Sequence, residues 1–80
     1  MVDFIKFAKE NNVEINIRSF NKPWPAILIV IERWEPRCRF GFMVDETLYS
    51  ACAECDAYIT RRLEDGLKEL DRLTKEGSND

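Results

Sequence analysis

Two cysteines in a C-x-x-C spacing are the residues of this chain that most suggest chemistry. Cys52 and Cys55 lie in the stretch LYSACAECDAYI, and Cys38 is the third cysteine. A structural zinc site usually takes four ligands from cysteine and histidine, and the sequence has no histidine. We therefore expect reduced thiols that pack in the apolar core, with no metal and no other cofactor. The alternative is a protein whose cysteines do chemistry, either as a zinc site completed by Asp56 or as a thiol-redox pair.

Other catalytic groups are sparse in this sequence. Without histidine there is no obvious general base, and no serine or cysteine has a visible activating partner. The three glycines, Gly41, Gly66 and Gly77, are too widely spaced to form a phosphate-binding loop. These observations predict that the protein is not an enzyme.

Hydrophobic periodicity predicts five elements in the order α-β-β-β-α. The first helix begins at an Asp3 cap and stops at Asn11 and Asn12. Short connections between the strands predict an antiparallel sheet with the second strand in its centre. The C-terminal helix begins at Asp45 or Thr47 and ends before Gly77. The expected strands span residues 13–19, 26–34 and 38–44, and the long helix spans residues 46–76.

The expected architecture is one α+β domain over residues 1–80, with residues 77–80 as a frayed tail. A stripe of apolar residues at steps of three and four places the long helix on the apolar face of the sheet. At about 46 Å this helix would be longer than a strand of about 26 Å. Its overhanging leucines are therefore predicted to form a homodimer interface, unless Gly66 bends the helix back: Leu63, Leu67 and Leu70.

Charge is unevenly distributed along the chain, whose formal net charge is −3. Residues 13–44 carry five basic and three acidic side chains, a net of +2. Residues 45–80 carry ten acidic and five basic side chains, a net of −5. Alternation places Arg18, Arg37 and Arg39 on the sheet face opposite the apolar one, and Arg33 joins them if the central strand presents its isoleucines there. The predicted binding residues are the arginines of this face and two nearby tryptophans: Arg18, Trp24, Arg33, Trp34, Arg37 and Arg39.

Two kinds of partner suit such a surface. Tryptophan and arginine are enriched at protein interfaces, and both can also stack on or pair with nucleic acid. A net-acidic chain attracts phosphates weakly, so a protein partner ranks above nucleic acid. The competing surface is the acidic side of the long helix, which could imitate a phosphate backbone: Glu54, Asp56, Asp65, Glu69 and Asp71.

In size, acidity and element order the whole chain resembles small phage or mobile-element accessory proteins of the anti-CRISPR kind. The resemblance implies a non-catalytic inhibitor or adaptor that occupies a surface on a larger protein or ribonucleoprotein complex. No apolar run approaches the roughly 18 residues that span a bilayer. The N-terminal residues also lack a secretory pattern, so a cytoplasmic protein is expected.

Overall fold

The chain folds as a three-stranded antiparallel sheet that carries its helices on one face. The structure, a computed structural model, describes residues 2–51 and 53–78. The predicted α+β order, with a long C-terminal helix against the sheet, is confirmed. In chain order the elements are α1 (Phe4–Asn11), β1 (Glu14–Phe20), β2 (Ala26–Trp34), β3 (Arg37–Asp45), α2 (Glu46–Ala51) and α3 (Ala53–Ser78).

Helix α1 has the two ends that its sequence predicts. Asp3 caps the start, because its Oδ1 accepts a hydrogen bond of 3.0 Å from the Lys6 N–H. Asn12 ends the helix in the left-handed conformation, with φ 54° and ψ 47°, which asparagine tolerates better than most residues. The intervening Phe4 and Phe7 pack against the core. The helix is thereby fixed beside β1.

Strand β2 lies between β1 and β3, and both neighbours are antiparallel to it. Its register joins Ile31 to Ile15 on one side and to Phe40 on the other. The sheet therefore has two distinct faces. The covered face packs against the helices and includes Ile27, Ile29, Ile31, Arg33, Cys38, Phe40, Phe42 and Val44. The open face includes Arg18, Phe20, Leu28, Val30, Glu32, Trp34, Arg37, Arg39, Gly41 and Met43.

Helix α3 approaches the covered face closely at Gly66. A Cβ atom at this position would lie 2.6 Å from Phe40 Cδ1 and 2.7 Å from Ile31 Cδ1. The glycine therefore lets the helix backbone approach the sheet at a distance that any larger residue would prevent. Helix α3 continues through Gly66 without interruption.

The predicted dimer interface is wrong, because its leucines belong to the core of one chain. Leu63 and Leu70 have no exposed surface, and the half-buried Leu67 packs against the same cluster. The helix lies over the sheet at all three leucines. Helix α3 contacts the covered face from Cys55 to Thr74, about 28 Å along its axis, which matches a nine-residue strand of about 30 Å.

The ends of the C-terminal helical region agree only in part with the sequence. Asp45 is the cap, since its Oδ1 accepts from the N–H groups of Thr47 at 2.8 Å and Leu48 at 3.3 Å. Gly77 does not stop the helix, which extends to Ser78. The expected frayed tail is thus helical over its first two residues, while residues 79–80 and Cys52 lie outside the described residues.

Candidate binding surface

The two described cysteines lie far apart. Cys55 is buried in the core near the start of α3, as expected. Cys38 is half-buried on β3, and its Sγ lies 3.3 Å from Thr74 Oγ1 near the other end of that helix. Neither forms a disulfide bond, and Cys52 belongs to the part of the chain that is not described. Among the described residues no group of three cysteine, aspartate or glutamate side chains could hold a metal ion.

One end of the open face is an apolar groove. The loop between β1 and β2 places Trp24 beside the strand ends, where it is 60% exposed. Met43 is 50% exposed and Phe20 is 37% exposed at the same end. Strand register brings Leu28 between Arg18 and Met43. The groove has a volume of about 290 Å³, and its lining is Phe20, Lys22, Pro23, Trp24, Leu28 and Met43.

Sequence reasoning identified Trp24 in this groove but missed its other apolar residues. Leu28 and Met43 lie on strands whose opposite side forms the core, so their own side is the open face. The available signal was β2 itself, which is apolar at every position from Ala26 to Ile31. A strand that is apolar on both sides while helices cover only one of them must expose apolar residues on the other.

The other end of the open face is built around the carboxylate of Glu32. Glu32 is only 5% exposed, although it lies on the open face. Its Oε2 lies 3.6 Å from Arg37 Nη2, and its Oε1 lies 3.8 Å from Arg39 Nε. Two guanidinium groups thus compensate one buried negative charge. These two predicted binding residues therefore already have a structural role.

Trp34 extends this charged end toward β1. Its Nε1–H donates a hydrogen bond of 2.5 Å to Glu14 Oε2. The guanidinium of Arg37 lies 5.0 Å from the centre of the Trp34 ring system, within the range of a cation–π contact. The indole nevertheless remains 56% exposed. It can therefore contact a partner while its polar atom stays bonded within the chain.

Arg33 does not belong to this surface. Because Ile27, Ile29 and Ile31 point toward the helices, Arg33 points the same way. Its Nη1 donates a hydrogen bond of 2.9 Å to Asp71 Oδ1 on α3. The condition under which Arg33 would join the other arginines is not met, so Arg33 is not part of the predicted binding face.

The acidic alternative on α3 is interrupted by basic partners. Asp71 is paired with Arg33. Arg72 donates to Glu69 through its Nε and Nη2 and to Glu76 through its Nη1. The hydrogen bond from Arg72 lowers the pKa of Glu69 below its ordinary value of 4.5, so this pairing is lost as the pH falls through the lowered value. Of the remaining predicted residues, Glu54 and Asp65 are exposed and Asp56 is half-buried.

A second cleft lies between the N-terminal segment with α1 on one side and α2 with the start of α3 on the other, and its volume is about 370 Å³. It includes Tyr49, Ser50 and Asp56 among mainly apolar neighbours. The Ser50 hydroxyl donates a hydrogen bond of 2.9 Å to the backbone oxygen of Glu46. Its proton is therefore directed to the helix backbone and not to a general base.

Comparison with protein-family models, with curated proteins and with solved structures returns no match for this chain. Within the described ranges, no helix is both long and apolar enough to cross a membrane. Function must therefore be inferred from the geometry of the open face.

Proposed function

We propose that the protein is a non-catalytic binding module, a small inhibitor or adaptor, that occupies a surface on a larger protein complex through the open face of its sheet. The observation that supports this most is the groove at Trp24. Phe20, Trp24 and Met43 stay substantially exposed next to one another. Leaving a large apolar side chain in water forgoes about 1.5–3 kcal/mol of stabilisation, a considerable loss for a chain of 80 residues.

The groove also indicates the chemistry of the partner. Its lining is apolar apart from Lys22, and Arg18 lies next to Leu28 in the strand register. A fitting partner surface presents an apolar side chain to the groove and carboxylates to the two cations beside it. Pro23 and Pro25 restrict the backbone on either side of Trp24, so docking this side chain orders little additional chain.

Nucleic acid remains the weaker candidate partner. Arg37 and Arg39 both lie next to Glu32, which reduces the positive potential that phosphates would meet. The formal net charge of −3 acts in the same direction. The acidic side of α3 is a weaker candidate docking surface than the open face. Glu69 and Asp71 are paired with arginines, so this side imitates a phosphate backbone poorly.

The absence of catalysis is part of the proposal. In the second cleft, the Ser50 hydroxyl donates its proton to the backbone oxygen of Glu46 and not to a general base. Cys55 is 1% exposed and so is poorly accessible to a substrate. The resemblance to mobile-element accessory proteins adds ribonucleoprotein complexes to the candidate partners. The N-terminal residues lack a secretory pattern, which supports the cytoplasm as the proposed compartment.

The proposal is tested by capturing the partner from the native host, identifying it by mass spectrometry and measuring its affinity for two single variants. Trp24→Ser removes the most exposed aromatic residue of the groove. Tyr58→Ser, on α3, is the matched control because Tyr58 is also an exposed aromatic residue, at 39%. A tryptophan at the centre of an interface contributes about 2 kcal/mol or more, so Trp24→Ser should weaken binding roughly thirtyfold.

Equal affinity of both variants and the wild type would refute the open face as the docking surface. Binding to an oligonucleotide that falls steeply with added salt would favour nucleic acid as the partner instead.

A further inference from the structure

The outer edge of β3 is open in the described part of the chain. β3 pairs with β2 along one edge, and the sheet ends there. An edge strand of nine residues leaves the N–H and C=O groups of about four residues without ladder partners. Proteins usually protect such edges with charged side chains, prolines, bulges or very short strands. The charged side chains of Arg37 and Arg39 are on the open face, where both contact Glu32. β3 has no proline, and its register with β2 is continuous from Arg37 to Asp45.

The sequence of β3 is complementary to itself about Gly41. If a second copy lies antiparallel along this edge with Gly41 opposite Gly41, Arg37 lies opposite Asp45 of the partner subunit. Both are open-face positions, and their charges are opposite. On the covered face the same register places Phe40 opposite Phe42 of the partner subunit. Opposite charges and aromatic pairs are the cross-strand combinations that stabilise antiparallel sheets.

In its full-length register, the other edge of the sheet lacks this complementarity. Pairing β1 with its own copy about Ile17 would place Glu14 opposite Phe20 and Asn16 opposite Arg18. Neither combination joins opposite charges or two aromatic rings. Helix α1 also packs beside β1. The outer edge of β3 is therefore the better surface for a second copy of the chain.

The side chains needed for the charged pair are accessible. The side chain of Arg37 is 65% exposed while it contacts Glu32. Asp45 is exposed as well. Both capping hydrogen bonds to Asp45 go to Oδ1, from Thr47 and Leu48. Its Oδ2 can therefore accept from an arginine of another chain without loss of the helix cap.

We propose that two copies of the protein pair through β3, antiparallel and centred on Gly41, to form one six-stranded sheet. The two open faces then form a single continuous surface. Each dimer presents two copies of the Trp24 groove on that surface, related by the two-fold axis. A partner with two matching sites would bind such a surface more tightly than a single groove allows.

Gly41 provides the test, because it lies on the proposed axis and has room for a side chain. A Cβ atom there would lie 3.6 Å from Val30 Cγ2 and 3.7 Å from Leu28 Cδ1, which are ordinary contacts. Gly41→Lys should therefore fold as a monomer, yet it places two like charges directly opposite each other in the dimer. Gly41→Thr is the uncharged control at the same position.

Sedimentation velocity at micromolar concentration should show a dimer for the wild type and for Gly41→Thr. The dissociation constant of Gly41→Lys should be about two- to fivefold higher than that of the control, as expected for like charges directly opposite each other. Circular dichroism verifies that each variant is folded. Mixing equal amounts of Gly41→Lys and ¹⁵N-labelled Gly41→Glu should give, by native mass spectrometry, clearly more heterodimer than the roughly one half of all dimers that random pairing produces.

A wild-type protein that stays monomeric at micromolar concentration would overturn the proposal. So would a Gly41→Lys variant that dimerises as tightly as Gly41→Thr, or a statistical mixture of homodimers and heterodimers. The last two results would mean that any dimer forms through another surface.

Discussion

The two faces of the sheet carry similar apolar residues but expose them to different extents. On the covered face, Ile29 and Ile31 have no exposed surface, because α3 packs directly on them. On the open face, Phe20 and Met43 are 37% and 50% exposed, although they are as apolar as the core residues. The difference shows that apolar character alone does not decide which side of a strand becomes the core. The position of the helices decides it.

Two glycines show the same difference between the faces. Gly66 on α3 packs against the covered face, and Gly41 on β3 belongs to the open face. A Cβ at Gly66 would overlap Phe40 and Ile31, whereas a Cβ at Gly41 would meet its neighbours at ordinary distances. Gly66 is therefore required by packing, and Gly41 is not. Substitutions on the two faces should consequently change stability by different amounts, and at the glycines in opposite directions.

The largest loss is expected in the covered core. Leu63→Ala should lower the free energy of unfolding by about 2–5 kcal/mol, because the leucine is fully buried and its removal leaves a cavity. Met43→Ala on the open face should change it by less than about 0.5 kcal/mol. Urea denaturation measures both. Equal losses for the two variants would contradict the division into a covered and an open face.

The next largest effect is expected at Glu32, where the open face itself has a structural requirement. Arg37→Glu with Arg39→Glu would surround a nearly buried carboxylate with like charges. Since both arginines are well exposed and screened by solvent, we expect a loss of only about 1–2 kcal/mol. The control Arg37→Lys with Arg39→Lys keeps the charges and should retain most of the stability. If the charge-reversed protein were as stable as the control, the arginines would not compensate Glu32.

A smaller loss is expected for Gly66→Ala. Overpacking costs about 1–3 kcal/mol, while alanine returns about 1 kcal/mol of helix propensity, so the net loss should be about 1 kcal/mol. Thermal unfolding followed by circular dichroism measures it. A stabilised variant would mean that α3 can move away from Phe40 and Ile31 at no cost.

The smallest effect has the opposite sign. Gly41→Ala should raise the free energy of unfolding by about 0.5–1 kcal/mol, because glycine in a strand loses more conformational freedom on folding than alanine does. The measurement is made at a concentration low enough to keep the protein monomeric. A loss of stability would indicate that the backbone near Gly41 needs glycine for a reason other than space.

The elements were predictable because their signals are local. Asp3 and Asn12 mark the ends of α1, and β2 has the bounds that its sequence indicates, residues 26–34. Capping, alternation and the helical stripe depend on near neighbours in sequence. They therefore predict where the elements begin and end without knowledge of the tertiary structure.

The candidate site was less predictable because it depends on register between strands. β2 is apolar on both sides, so its sequence does not determine which side Arg33 shares. The condition for placing Arg33 with the other arginines is not met in the structure. The groove between Leu28 and Met43 depends on β2–β3 pairing in the same way. The direction in which α3 crosses the sheet is a tertiary property that the sequence does not reveal. For this reason Leu63 and Leu70, which are buried in the core, are wrongly predicted as interface residues.

The central claim is that the open face of the sheet is the docking surface. Its most direct test measures the stability and the partner affinity of the same two variants. Trp24→Ser with Met43→Ser changes the open face, and Asp65→Lys with Glu69→Lys changes the outer side of α3. The account predicts that the first variant unfolds at nearly the wild-type denaturant concentration and binds the captured partner at least tenfold more weakly. The second should keep most of the wild-type affinity. Loss of binding in the helix variant alone would contradict the open-face assignment and favour the acidic side of α3 as the docking surface.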